Sequence, residues 1–496
     1  MHAGTVLTPL MERIDKWLRS PRTAIVLLVL HALIIILSFV AFGKEVSGDQ
    51  ATYLGLARGL EEGVFSYWTG VYEPPPIEVY RTHGYPVFLW AVRALSHNVF
   101  AVKFAQALVY VCALWLLLHW LRRGDDGVRR GNLFLLLMLP QFQMVFYVHE
   151  VFPEILMALI CTSAGVLGLR EHLTAPRAIL MGILLATGFW VRPAFLLFPL
   201  LVIGADLLFA GRAERWTLAG RNLLMGAVFA VLGPLPFAAW NLHTHGYFKP
   251  TPLSGSAVVS NLGFWQLRLP GYGSMHYFHY NYFGSEFIPW VSEDEAATHY
   301  ATYQEQWSRI YAQADPSMTL EDRHLIPDMT AHHDSLFVTR SAQYAVALDR
   351  AISAETWRSI KEEPGYYLAS RLYSAVRLWI TNVNYPVERI IWRSEGERPI
   401  LGRPAGLAGW AKALVPFLVT FFSFGIGLLL LLRSVLRHRA FWSMHRFPLY
   451  LIFYIWVIHI PMVIQSRYLV PVHMLAIFCI TLALTIPKGW TTAPRT

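Results

Sequence analysis

The stretch that decides the fold is SGDQATYLGLARGLEEGVF, residues 47–65, followed by YRTHGYPVFLWAVRAL, residues 80–95. It comes directly after a strongly apolar run at residues 24–42. A run of this kind can cross a bilayer, since a spanning helix needs about 20 apolar residues. An acid, Asp49, therefore stands where the chain leaves the membrane. Behind it, Tyr53, Leu56, Leu60 and Val64 recur at helical spacing. Gly48-Asp49 occupies the place of a helix N-cap, so a helix lying along the outer membrane surface is expected to start there. At this point Asp49 has two readings, as the cap of that helix or as a group available for chemistry.

Composition extends the membrane reading to the whole chain. Of 496 residues, 55% are hydrophobic and only 15% charged, whereas soluble domains carry roughly 25% charged residues. The sequence predicts ten spans, at about 24–42, 98–121, 132–148, 152–169, 178–190, 194–210, 222–240, 409–432, 447–464 and 468–486. The net charge of +9 is explained by its placement. Arg13, Lys16, Arg19 and Arg22, then Arg122, Arg123, Arg129 and Arg130, then Arg433, Arg437, Arg439 and Arg446 all fall on one side. The short turns of the other side carry only Arg192 and Arg467. This asymmetry predicts both termini inside, in the cytoplasm, and argues against nucleic acid as a partner. The first span is expected to be a retained helix rather than a cleaved signal peptide. Cys112, Cys161 and Cys479 lie inside predicted spans, with neither a disulfide framework nor zinc-ligand spacing.

Three regions are expected: an N-terminal transmembrane module, 1–240, with a first outer loop at 43–98; an outer domain, 241–408; and C-terminal transmembrane helices, 409–496. The long outer segment is too extended for a plain loop and should fold on the membrane surface. Within it, PGYYLASRLYSAVRLWI, residues 364–380, places Leu368, Leu372, Val376 and Trp379 at helical spacing among Arg371 and Arg377. That pattern predicts an interfacial helix with snorkelling arginines, because two arginines within a span would be costly.

Several motifs occur in a fixed order. GDQATYLGLARGL (48–60) is followed by the turn YRTHGYPVFLW (80–90) and by VHEVFPEILMAL (148–159), with acids at the outer start of the fourth span. GFWVRPAFLLFPL (188–200), PLPFAAWNLHTHGYFKPTPLSGS (234–256) and SRYLVPVHMLAIF (466–478) come next. Together these resemble the GT-C glycosyltransferases, polytopic enzymes that use polyprenyl-phosphate-linked sugars. The nearest branch is that of the protein O-mannosyltransferases and bacterial lipid A aminoarabinose transferases. The chain departs from the family pattern at two places. Asp49-Gln50 replaces the usual pair of acids, which puts a metal role in doubt. Thr82-His83 replaces the prolines of the usual turn.

The resemblance implies a GT-C-like bundle of about ten helices with interfacial helices, and inverting transfer of a sugar from a polyprenyl-phosphate donor to an acceptor hydroxyl at the periplasmic or lumenal face. The acceptor is a protein, a lipid or a polysaccharide. Such chemistry needs a base near the acceptor and cations near the departing phosphate. The resemblance makes Asp49 the base and Glu154 the second carboxylate, with Glu150 one turn earlier as its alternative. Arg81 is assigned to the phosphate, because a guanidinium grips phosphate oxygens bidentately. His83 and Tyr85 stand beside it in sequence. Arg192 and Arg467, the latter next to Tyr468, either complete the cradle or anchor helix ends. Tyr53, Glu78, Asn241 and His243 complete the candidate set. No cofactor is firmly implied. A divalent cation held by His243, His245 and Glu78 competes with plain solvation of those histidines, and His332-His333-Asp334 has ligand types without ligand spacing. The donor's isoprenoid needs an apolar groove facing membrane lipid. The compact size and the absence of an evident retention signal favour a bacterial inner membrane. The competing readings are a transporter or flippase of lipid-linked glycans, which should show internal repeats or paired broken helices, and a scaffold that keeps the fold without the chemistry.

Overall fold

The computed structural model describes residues 4–41, 49–67, 77–169, 174–209, 215–251, 342–365, 421–461 and 467–486, together with isolated positions and short runs between them. Among these residues no strand occurs, and the described part of each predicted span is mainly helical. The elements are α1 (Gly4–Leu18), α2 (Pro21–Ala41), α3 (Asp49–Glu61), α4 (Gly84–Arg93), α5 (Val99–Leu121), α6 (Gly127–Met138), α7 (Phe142–His149) and α8 (Glu154–Gly168). They continue with α9 (Ala175–Val191), α10 (Phe198–Phe209), α11 (Arg215–Leu232), α12 (Pro234–His245), α13 (Ala342–Glu362), α14 (Ile426–Arg437), α15 (Arg439–His459) and α16 (Val470–Leu484).

The chain is a helical integral membrane protein. Pro21–Val40, Val99–Leu121 and Arg215–His245 are long and apolar enough to cross a bilayer, and α6 with α7 passes the same test as a bent pair. Their outward faces carry exposed apolar side chains such as Ile36, Leu37 and Val40 on α2 and Phe104, Leu108 and Trp115 on α5, as a lipid-facing surface requires. The bundle closes on α8 and α16. Every residue of α16 from Val470 to Leu482 is buried, the signature of a helix enclosed on all sides. Helix α8 packs against α5, α9 and α16.

Four apolar helices are short: Glu154–Gly168, Ala175–Val191, Pro193–Phe209 and Val470–Leu484. A helix of 15 residues, such as α8 or α16, rises about 22 Å, less than the roughly 30 Å of hydrocarbon. Three of these helices end at charge. Helix α8 begins at Glu154, α9 stops just before Arg192, and α16 starts just after Arg467 and Tyr468. The start of α8, the end of α9 and the entry to α16 thus bring charged residues to one end of the bundle.

The third predicted span, 132–148, differs from expectation: it breaks between α6 and α7 with a 65° bend. The cause is Pro140, which has no N–H to donate and clashes with a continuing helix. Gln141 Nε2 donates to the Leu137 carbonyl, and Gln141 Oε1 accepts from Gln143 Nε2 and pairs with His473 Nε2 on α16. The Gln141 side chain thereby satisfies a backbone carbonyl freed at the break, as non-helical backbone at membrane depth requires. Helix α1, which the apolar pattern does not reveal, is tied to α6 by Asp15–Arg129 and Arg19–Asp126 ion pairs of 2.7 and 2.8 Å.

The 364–380 segment is helical at its described positions. Leu368, Leu372 and Val376 are exposed on one side, as a lipid-facing stripe should be. Arg371 does not snorkel. It is buried, and its Nη1 donates to the carbonyls of Ile460 and Pro461 at the end of α15. Carbonyls freed at a helix C-terminus accept a guanidinium readily, so this arginine is held by a helix end instead of by water.

Candidate functional site

The helix at Asp49 forms as the periodicity predicts, but Asp49 does not serve as its cap. Its Oδ1 accepts from Arg81 Nη2 at 2.9 Å, and its Oδ2 accepts from Arg467 Nη2 at 2.9 Å. Both carboxylate oxygens are thus engaged with guanidinium groups from distant parts of the chain. From this pair a line of alternating charges extends in both directions. Arg81 Nη1 lies 3.7 Å from Glu78 Oε2. Arg467 Nε lies 3.8 Å from Glu154 Oε1, which accepts from Arg192 Nη1 at 2.9 Å. The order Glu78, Arg81, Asp49, Arg467, Glu154, Arg192 brings together three acids and three bases from α3, the loop before α4, α8, the end of α9 and the entry to α16.

Each guanidinium also lies over an aromatic ring. Arg81 stands 5.5 Å from the centroid of Tyr53, Arg467 4.5 Å from that of Phe152, and Arg192 4.9 Å from that of Tyr468. Stacking on a ring face orients a guanidinium while leaving its in-plane N–H groups free to donate. Of the acids, Glu154 is 1% exposed and Asp49 44% by side chain. Asp49 is therefore the acid of the line that is open to a partner from solution. Glu154 Oε2 is buried without a hydrogen-bond partner.

The electrostatics follow from these contacts. Burial works to raise the Asp49 carboxyl, but the charges of Arg467 and Arg81 and their hydrogen bonds outweigh it and hold it below the ordinary value. Burial raises Glu78 above the ordinary value against the opposing pull of Arg81 and of backbone N–H groups. Arg81 and Arg467 are held even more firmly protonated than usual: burial alone would work the other way, and the acids around them prevail.

Position on the tertiary structure separates the remaining candidates. Tyr85 is fully buried and donates its hydroxyl to Gln106 Oε1 at 2.7 Å. It supports the site from below and does not present a hydroxyl to a phosphate. His83 sits in an aromatic box, stacked on Phe65 at 3.8 Å and edge-on to Trp240 at 4.5 Å, with Trp190 and Phe237 beyond. Burial and the neighbouring His245 push it down to about 4, so it is neutral near pH 7. Glu150 lies at the α7–α8 junction and accepts from Gln50 Nε2 at 2.6 Å. Asn241 is buried and donates to the Lys249 carbonyl, and His243 is exposed on α12. Gly84 explains the tight turn after His83, because a Cβ there would collide with the backbone of Trp190 and Val191. Close packing of that turn on the end of α9 brings Arg81 to the same side as Arg192.

The donors proposed for a divalent cation do not converge as a binding set. The Glu78 carboxylate accepts from backbone N–H groups, including that of Tyr80 at 2.6 Å, and faces Arg81. His245 bonds the Glu78 backbone carbonyl. Among the described residues no three His, Cys, Asp or Glu side chains gather as metal ligands. His332-His333-Asp334 lies outside the described residues. All three cysteines are free.

Residue patterns alone miss Phe152, which underlies Arg467, and the amide Gln106, while Gln50 stands out in the sequence only as a break in the usual pair of acids. A polar residue within an otherwise apolar span is the signal that could have found Gln106.

The fold and site define a helical membrane protein with an alternating line of acids and arginines where its short helices end. No family model matches the chain, and no curated protein sequence matches it. Among solved structures the chain is similar to ArnT from Cupriavidus metallidurans in its apo state, at 11% identity over 92% of this chain and 77% of that one, with a TM-score of 0.37. A likeness at that level assigns no activity to this chain.

Proposed function

We propose that this protein is an inverting, GT-C type membrane glycosyltransferase. It moves a sugar from a polyprenyl-phosphate donor to an acceptor hydroxyl at the outer, periplasmic or lumenal face. The observation that carries the reading is the clamping of Asp49 between Arg81 and Arg467, each 2.9 Å away. A carboxylate between two arginines occupies the geometry that a phosphate needs. When the donor's phosphodiester enters, Arg81 and Arg467 exchange one anion for another, and Asp49 is released toward the open side of the site.

In the reaction the acceptor oxygen attacks the anomeric carbon as the bond from that carbon to the phosphate oxygen breaks. The acceptor proton passes to Asp49, and polyprenyl phosphate leaves with one further negative charge. Neutralising Asp49 removes a competing anion from beside Arg81 and Arg467 as that charge appears on the phosphate. The two changes reinforce each other, and the preorganised guanidinium groups stabilise charge where it develops. Glu154 keeps Arg192 and Arg467 oriented from below, with Phe152 and Tyr468 as their platforms. Exposed Val87 and Trp90 on α4 and Leu235 and Leu242 on α12 offer apolar surface to the isoprenoid. The likeness to ArnT is compatible with this reading but adds no weight to it.

The test is transfer by purified Asp49→Asn protein in lipid, supplied with a polyprenyl-phosphate sugar. Loss of a general base should slow turnover roughly 10²–10⁴-fold, with donor binding retained. Turnover near that of the parent would remove Asp49 as the base. A second reading, movement of a lipid-linked glycan across the bilayer, is favoured by the 65° break and the buried His473 beside it. Translocation in proteoliposomes without sugar transfer would select it.

A further inference from the structure

The polar contacts behind the charged line form a second, connected set. Gln50 is buried next to Asp49 on α3. Its Nε2 donates to Glu150 Oε2 at 2.6 Å, and its Oε1 accepts from the Val151 N–H at 2.9 Å. Glu150 and Val151 make the turn that leads from α7 into α8, where Glu154 begins. The Glu150 carbonyl in turn accepts from Gln106 Nε2 of α5 at 2.8 Å, and so does the Val148 carbonyl. Gln106 Oε1 takes the Tyr85 hydroxyl of α4, and the Tyr85 ring meets Tyr53, the platform of Arg81, edge-on at 5.1 Å. One buried amide thus joins the helix that carries Asp49 to the turn that carries Glu154, and a second ties that turn to the Arg81 side.

We infer that Gln50 is a positioning residue whose neutral amide latches α3 to the α7–α8 turn and fixes the spacing of Asp49 from Glu154, a role that requires one of the two facing side chains at positions 50 and 150 to donate to a carboxylate on the other. The inference rests on the proposed transferase reading for its catalytic consequence, and on the observed contacts for the latch itself. An amide suits the place because it donates on one side and accepts on the other. A carboxylate at position 50 would accept well from Val151 but would set two like charges against each other at Glu150. Lys103 of α5 and Tyr85 of α4 are further titratable groups that interact with Glu150. Asp49 flanks the latch on α3, and His149 precedes Glu150 on α7.

The experiment compares Gln50→Glu, Glu150→Gln and the exchanged double variant, each as full-length protein in lipid nanodiscs. Two readouts are taken, thermal unfolding across pH and sugar transfer across pH. In Gln50→Glu, turnover near neutral pH should fall about a hundredfold, the size of a small misplacement of a reacting group, with a smaller change in donor KM. Acidification should restore part of the loss, because one of the two carboxyls then carries a proton and donates to the other. The exchanged variant should recover within about tenfold of the parent and lose the new pH dependence, since an amide again faces a carboxylate. A Gln50→Glu protein with the parent's turnover and pH profile overturns the inference, as does an exchanged variant no better than Gln50→Glu. If the parent itself transfers no sugar, the transferase reading fails. The unfolding data then decide the latch alone: an acid-restored Gln50→Glu midpoint and rescue by exchange uphold it, and additive midpoints refute it.

Discussion

Removing Arg192 gives a sharp test of the charged line. Arg192 Nη1 is 2.9 Å from Glu154 Oε1, and the Glu154 side chain is 1% exposed. At an effective dielectric near 20, charges at that separation attract by about 6 kcal/mol before desolvation is subtracted. Breaking a buried pair from one side costs about 3–5 kcal/mol, because the surviving charge is left in a poor environment. Here Arg467 remains as a second partner of Glu154, its Nε 3.8 Å away, and recovers part of that cost. The expected destabilisation of Arg192→Ala is therefore about 2–3 kcal/mol. Glu154→Gln should cost less, since an amide can accept from Arg192 without needing a counter-charge. In the double variant the neutral amide no longer requires Arg192, so the two losses should not add. The assay is reversible unfolding in mixed micelles for all four proteins, followed by helical signal. A coupling of about 2 kcal/mol is expected, and additivity within about 0.5 kcal/mol would refute the pairing as an energetic unit.

Two further outcomes follow from the same geometry. Gly84→Ala would drive a Cβ into the backbone of Trp190 and Val191, so it should destabilise by about 1–3 kcal/mol and lower transfer more than a surface glycine change such as Gly204→Ala, whose added Cβ meets open space. The Asp49 carboxyl is depressed in the folded state, so its stabilising contribution is complete above its unfolded value of about 3.9 and is lost as pH falls through the lower folded value. The parent should thus lose stability on acidification more steeply than Asp49→Asn. Parallel unfolding curves in acid would show that the two arginines do not favour its charged form.

The bundle is legible in the sequence because lipid permits few alternatives to long apolar helices, and these leave an unmistakable pattern. The break at Pro140 is legible in principle, since proline in a helix interior has a known consequence, but a hydropathy window smooths across it. Asp49, Arg81, Glu154, Arg192 and Arg467 can each be picked out as a charge near the edge of an apolar run. Their arrangement cannot, because Asp49 and Arg467 lie 418 positions apart and nothing local states that they pair. Tyr85 illustrates the opposite limit. Its place beside Arg81 in sequence suggests a ligand to the same phosphate, yet on α4 it turns into the core, where Gln106 takes its hydroxyl. Arg371 resembles a snorkelling side chain by composition, and only the position of the α15 terminus shows that carbonyls hold it.

The most direct measurement is a cryo-electron-microscopy map of the protein with a polyprenyl-phosphate analogue bound. Phosphate oxygens are expected within hydrogen-bonding distance of both Arg81 and Arg467, with the Asp49 carboxylate released from at least one of them and facing the open side. Phosphate seated away from this pair, with Asp49 still held by both arginines, would contradict it.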